Sequence, residues 1–241
     1  MDNMEIIDSH AHWGPSVALF MTVTTEEILR QAESCGVDRV VIFPFPSQAL
    51  DDEMINEDIL EESRRVDKFI PYYYIPDDLR SIPLQKGYYG AKWHWTRGIQ
   101  DCSSNYDVLS DPRLAVFIEE SQDINLPIIM EEELEFTETF VKKSGDLKII
   151  IPHMGMLGGD PLEFLNRFRH NENVFFDTAL AGQSTVAKFK DKIGPERILF
   201  GSDIPFGSMK SELNKILSLS AGDGEKELIL SRNIRRLIGF E

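Results

Sequence analysis

Short apolar runs alternate with longer amphipathic stretches along this chain. The runs EIID (5–8), RVVIFP (39–44), FIPYYYI (69–75), YYGAKWHW (88–95), LPIIME (126–131), LKIIIPH (147–153), NVFFD (173–177) and RILFGSD (197–203) predict eight strands. Several are near-continuous in hydrophobicity rather than alternating, the pattern of parallel strands covered on both faces. Helices are expected between them. Thr24 with Glu27 has capping-box spacing, and DPRLAVFIEE (111–120) offers Asp111 as N-cap with Pro112 in the first turn. DPLEFLNRF (160–168) repeats that signal, and further amphipathic runs occupy 52–66, 133–142, 184–192, 208–219 and 224–238. Only 76–87 has room for no more than a short helix. Strands alternating with helices, with no linker-like segment, predict an α/β protein: one (β/α)8 TIM barrel spanning residues 1–241, with a short or irregular crossover around 76–87. A doubly wound open sheet is the runner-up. That fold usually opens on a glycine-rich phosphate turn, and DSHAHWG is no such turn.

Composition narrows the function. A chain of 241 residues with 42% hydrophobic content suits one sizeable domain. Against 41 acidic residues stand 25 basic ones, a formal charge of −16, which repels phosphate backbones and anionic membrane surfaces. Nucleic acid and membrane partners are therefore not expected. Two cysteines, Cys35 and Cys102, make no disulfide framework and fit a reducing compartment. With no signal-like amino terminus and no spanning apolar run, a cytoplasmic protein is expected.

The chemistry gathers at strand ends, where barrels of this kind carry their reactive groups. There stand Asp8, His10 and His12, then Lys92 and His94, Glu131, His153, Asp177 and Asp203. Residues two apart on a strand share a face, so His10 and His12 present adjacent imidazoles. The same parity pairs Lys92 with His94, Ile129 with Glu131 and Ile151 with His153. Each residue has a plain alternative: His153 a hydrogen-bonding histidine, Asp203 a turn cap, Lys92 a barrel ion-pair partner, Asp8 a buried carboxylate orienting His10 or His12. As a set, they point to a metal site.

IIDSHAHWG, GAKWH, PIIME, IPHMG, NVFFDTA and GPERILFGSDIPFG, in that order, resemble the metal-dependent amidohydrolase superfamily, and within it the aminocarboxymuconate-semialdehyde-decarboxylase-like branch. The tail ILSRNIRRLIGF is similar to that branch's final helix, so the likeness runs along the whole chain. The resemblance implies that His10 and His12 are metal ligands. Asp203 becomes a ligand or the base for an activated water, and His153 a ligand of a second ion or an acid/base group on the substrate. Lys92 takes the position of a lysine that bridges two metals in some members. One departure stands out: Glu131 occupies the place of a metal-binding histidine. It replaces the imidazole as an oxygen ligand, or bridges two ions, or marks a site that has lost its chemistry.

The reading is then a metal-dependent hydrolase acting on a small amide, ester or lactone, with Asp203 and His153 catalytic. Its metal set is His10, His12, Glu131, Asp203 and His153. Lys92, His94 and Arg97 are substrate-binding candidates, Arg97 because its fork suits a substrate carboxylate. The ion is a divalent metal, zinc first, with manganese or iron as harder alternatives. The alternatives are a non-oxidative decarboxylase or hydratase on the same scaffold, or a degenerate barrel that binds a small molecule without turnover. Self-association is left open.

Overall fold

The structure, a computed structural model, describes residues 4–17, 19–45, 52–94 and 104–240, with side chains from 54 onward in the third stretch. Eight parallel strands follow one another around a curled sheet: β1 (Ile7–Ser16), β3 (Arg39–Pro44), β4 (Phe69–Tyr74), β5 (Gly90–His94), β6 (Ile128–Glu131), β7 (Ile149–Ile151), β8 (Val174–Asp177) and β9 (Ile198–Leu199). A short strand, β2 (Met21–Val23), pairs antiparallel with the end of β1 as a hairpin. Beyond β9, residues 200–204 close the ring against β1. Ser9 N donates to Phe200 O (2.8 Å), Asp203 N to His10 O (2.7 Å) and His12 N to Ile204 O (2.9 Å). The result is the expected (β/α)8 barrel.

The helices start where their caps predict. Thr24 accepts from Glu27 N at the head of α1 (Thr25–Cys35), and α2 covers Asp52–Arg65. Asp111 caps α3 (Pro112–Ile124), α4 follows at Leu134–Lys143, and Asp160 caps α5 (Pro161–Phe168). In each proline case the ring fills a position whose N–H needs no partner. Then come α6 (Gln183–Ile193) and α7 (Met209–Leu217). Between β4 and β5 the chain makes only a 3-10 turn, Leu84–Lys86, as the proline-bearing crossover suggested.

The final run, expected as one helix over 224–238, is interrupted. It divides into α8 (Asp223–Glu227), a π-helical turn (Leu228–Arg232) and α9 (Asn233–Ile238). The wider turn has a structural use: the Ile229 carbonyl accepts Phe200 N at 2.9 Å, so the tail braces the closing segment. Ile234, Leu237 and Ile238 of α9 pack with Ile7, Val41, Ile70, Tyr72 and Leu199, stoppering the barrel at its N-terminal end. This apolar plug fills the lower barrel, below the charged strand-end groups. A second apolar layer lies between the sheet's outer face and the helices, where strand residues such as Val40, Ile128, Ile149 and Phe176 meet Phe117, Phe140, Phe164 and Phe189.

Candidate metal centre

The site is set by two departures from regular strand geometry. In β1 the pairing with β3 slips between Asp8 and Ala11: Asp8 pairs with Val40 and Ala11 with Ile42, both outward, while His12 pairs with the inward Phe43. One extra residue, a bulge, switches the parity within the strand. Asp8 therefore does not share the histidines' face, contrary to simple alternation. It serves them through the backbone instead, its Oδ1 accepting His10 N (3.0 Å) and Ser202 N (2.9 Å). Burial raises the Asp8 carboxyl to about 7, against the lowering effect of Ser202 and His10.

The second departure is at β7. Ile151 faces outward, so parity with it would send His153 away from the barrel. The chain turns instead: His153 (φ 54) and Met154 (φ 54) both adopt left-handed backbone, and this swings the imidazole inward. Asp203 also has φ 54. Left-handed backbone is uncommon outside glycine, and its clustering at ligand-type residues is a mark of a site held against local preference.

At the barrel mouth His10 Nε2 and His12 Nε2 each lie 3.3 Å from Asp203 Oδ1, and His153 Nε2 lies 3.9 Å from Asp203 Oδ2. One ligand-type atom each from His10, His153 and Asp203 falls within 4.8 Å of the others. His10 Nε2 and Asp203 Oδ1 are buried without a hydrogen-bond partner. Orphaned polar atoms are costly unless something absent from the protein completes them. Two ligands at about 2.1 Å from a tetrahedral zinc are about 3.4 Å apart, close to the separations here. The residues fit a divalent cation.

A residue the sequence reading placed at a strand end without a role, Asp177, orients this group. Its Oδ2 accepts His10 Nδ1 at 2.7 Å, so the ring's other nitrogen faces the mouth. Its Oδ1 accepts His153 N (2.9 Å) and Ala179 N (3.0 Å). Gly201 leaves room beside it: a Cβ there would come within 3.0 Å of the His10 Cβ. Burial opposes charge on His10, but Asp177, with help from Asp203, raises the imidazole to about 9. Burial likewise opposes the Asp203 charge, and His10 and His12 overcome it, holding Asp203 well below the usual carboxylate range. Burial pushes His12 down; its ring stacks on Phe45 at 4.5 Å and meets the edge of Phe206 at 5.8 Å.

The rest of the predicted set forms a second group that meets the first at His153. Lys92, fully buried, donates to Glu131 Oε2 at 2.7 Å and stands 4.8 Å over the Phe43 ring. His94 Nε2 is 3.5 Å from the same oxygen, and His153 Nε2 is 3.8 Å from Glu131 Oε1. Burial works against the Glu131 charge, yet His94, Lys92 and His153 hold it well below the usual range. Since burial pushes His94 down to about 3 and leaves it neutral, the cation that keeps Glu131 ionised at pH 7 is Lys92. The strand-parity pairing of Lys92 with His94 and of Ile129 with Glu131 is as expected, because each pair faces inward. Arg97 lies outside the described residues.

Residues 108–240 match the amidohydrolase family model. The chain belongs to the amidohydrolase family. None of the curated proteins matches it by sequence. Its fold is similar to 2,6-dihydroxybenzoate decarboxylase from Rhizobium (TM-score 0.76, 16% identity, 98% of this chain and 99% of that one). It is also similar to a probable 2-pyrone-4,6-dicarboxylic acid hydrolase from Acinetobacter baumannii with citric acid bound (TM-score 0.75, 16% identity, 98% and 100%). A third likeness is to a Burkholderia multivorans amidohydrolase with bound zinc (TM-score 0.76, 14% identity, 98% and 99%). This amidohydrolase is an enzyme of a metal-dependent superfamily, with its candidate ligands at the strand ends where a barrel carries chemistry. Among the described residues no helix is long and apolar enough to cross a membrane.

Proposed function

We propose that this amidohydrolase is a metal-dependent hydrolase that opens an amide, ester or lactone bond in a small, carboxylate-bearing substrate. The observation that carries the reading is the convergence of His10 Nε2 and Asp203 Oδ1, both buried and unpartnered, with His153 beside them. His10, His12 and Asp203 would hold the ion, with His153 beside it. Two or three imidazoles and one carboxylate suit zinc, ahead of manganese or iron. When bound, a divalent ion supplies Lewis acidity, polarising a carbonyl oxygen and acidifying water.

The protein groups divide the remaining work. Asp203, ionised and between three imidazoles, is placed to take a proton from an attacking water. His153, its Nε2 3.9 Å from Asp203 Oδ2, is placed to receive that proton from Asp203 and pass it to the departing group. Asp177 keeps the His10 ring in register throughout. Phe45 and Phe206 flank His12 and give the mouth an apolar wall. Sparse cysteines and an acidic chain support a cytoplasmic setting and a small-molecule substrate.

Non-oxidative decarboxylation needs the same ion and the same histidines, and similar folds include enzymes named for each reaction. The deciding experiment has two stages. Purified protein is expected to carry, or to take up, one equivalent of zinc, and His10→Ala with His12→Ala to lose it while keeping its circular-dichroism spectrum. A protein that binds no divalent ion overturns the reading. A panel of lactones, amides and aromatic carboxylates then separates acid release, as proposed, from carbon dioxide release.

A further inference from the structure

Away from the ligand cluster, a partly buried ion pair is committed to one short turn. Residues 178–181 follow β8, and Lys215 of α7 reaches across to them. Its ammonium donates to Thr178 O (2.6 Å), to Ala181 O (2.8 Å) and to Glu212 Oε2. All three of its hydrogens are thereby used. Glu212, one turn earlier, accepts Leu180 N at 3.2 Å and so fixes a non-glycine residue at φ 58. The two side chains are only 10% and 14% exposed. Gly207 allows the close fit: a Cβ there would lie 2.1 Å from Ser202 O and 3.0 Å from Leu180 Cδ2.

What this turn presents is the Ala179 carbonyl, 3.2 Å from His153 Nδ1. An imidazole facing a carbonyl must offer it an N–H, which in the neutral ring leaves the other nitrogen as the lone-pair atom. We propose that Glu212 and Lys215 are positioning residues: they pin the 178–181 turn so that Ala179 O holds the His153 proton on Nδ1, leaving Nε2 for the cation or the substrate. Neither side chain is among the groups that gather at the mouth. They act through three backbone groups, Thr178 O, Leu180 N and Ala181 O. Without them the turn keeps only its internal bonds from Ala181 N to Ala179 O (2.6 Å) and Thr178 O (3.2 Å), and the Ala179 carbonyl is less firmly aimed at the His153 ring. The inference rests on the reading of His153 as a site residue.

The test reads the tautomer directly. Long-range proton–nitrogen NMR of the metal-free protein is expected to show His153 with its proton on Nδ1. Lys215→Met should give a mixture of both tautomers and weaken zinc binding about tenfold in a competition titration, while Lys215→Arg should keep the wild-type pattern. A merely structural lysine would lower the thermal midpoint and leave the tautomer alone. If Lys215→Met does not fold, Glu212→Ala is read in the same way. A retained Nδ1–H with zinc affinity within twofold of wild type overturns the proposal. His153→Ala, measured separately, guards the premise. Unchanged zinc affinity there would remove His153 from the ion, whereas the tautomer measurement still judges the clamp by itself.

Discussion

Two groups of buried, ionisable side chains share the mouth of this barrel, with Phe43 as common floor: Lys92 stands over its ring and His10 meets its edge at 4.9 Å. On one side, His10, His12, His153 and Asp203 approach one another without completing hydrogen bonds at His10 Nε2 or Asp203 Oδ1. On the other, Lys92 and Glu131 complete each other at 2.7 Å. Depth does not distinguish them, since all these side chains are almost fully buried. The difference is the source of positive charge. The Glu131 side carries its own cation on a covalent tether. The Asp203 side has none of its own beyond a proton on His10, and it is the side that fits an ion from solution. Burial of acids and histidines does not by itself mark a metal site; converging ligand atoms without hydrogen-bond partners do.

The comparison breaks most sharply at Lys92. Lys92→Met leaves Glu131 as an uncompensated buried charge and is expected to cost about 3–5 kcal/mol of stability in urea denaturation. Adding Glu131→Gln should recover most of that loss, and Glu131→Gln by itself should leave zinc stoichiometry unchanged. Loss of zinc in the single glutamine variant would show that the two groups are one site.

A pH series sharpens the other side. His10 in the folded, metal-free protein titrates at about 9, above its ordinary value of 6.5. Its protonated form therefore adds stability that is fully present below pH 6.5 and is lost as pH rises through 9. An incoming cation must displace that proton, so zinc affinity should climb roughly tenfold per pH unit between these limits and level off above them. A flat profile would mean that His10 is not a ligand. The smallest expected effect is at Asp177. Asp177→Asn removes the charge that orients His10, and zinc affinity should fall about 10–100-fold with the barrel intact, measured by competition with a chromophoric chelator. No change would assign Asp177 to folding alone.

Much of this was legible in the chain itself. Near-continuous apolar runs marked the parallel strands, Asp111 and Asp160 announced their helices, and His10, His12 and Asp203 converge as their strand ends implied. The failures came where local geometry departs from period two. Nothing in DSHAH reveals a bulge, so the sequence alone does not show that Asp8, the expected buried carboxylate, holds His10 through its backbone N–H from the opposite face. IIIPH reads as a strand running through His153, whereas Pro152 begins a 3-10 turn and left-handed backbone re-aims the ring. Asp177 was visible as a strand-end acid, but its partner lies 167 residues away. Glu131 left three readings open because its neighbour across the sheet decides its chemistry, and the structure pairs it with Lys92. The clamp of Lys215 on the 178–181 turn had no signature beyond an ordinary i, i+3 pair.

The closure between β1 and residues 200–204 bears on the order in which the molecule assembles. Ser9 and Phe200, which bond across it, are 191 residues apart in a chain of 241. Neighbouring βα units nucleate over short loops, but this join must wait for most of the chain to be placed, at a large loop-closure entropy. His10 and His12 lie on one lip of it and Asp203 on the other. The candidate site is therefore expected to be the last region to mature. A partly folded intermediate with most of its helices would have no ligand set at all, and pulse-labelling hydrogen exchange should find the amides of His12 and Asp203 protected later than those of β6 and β7.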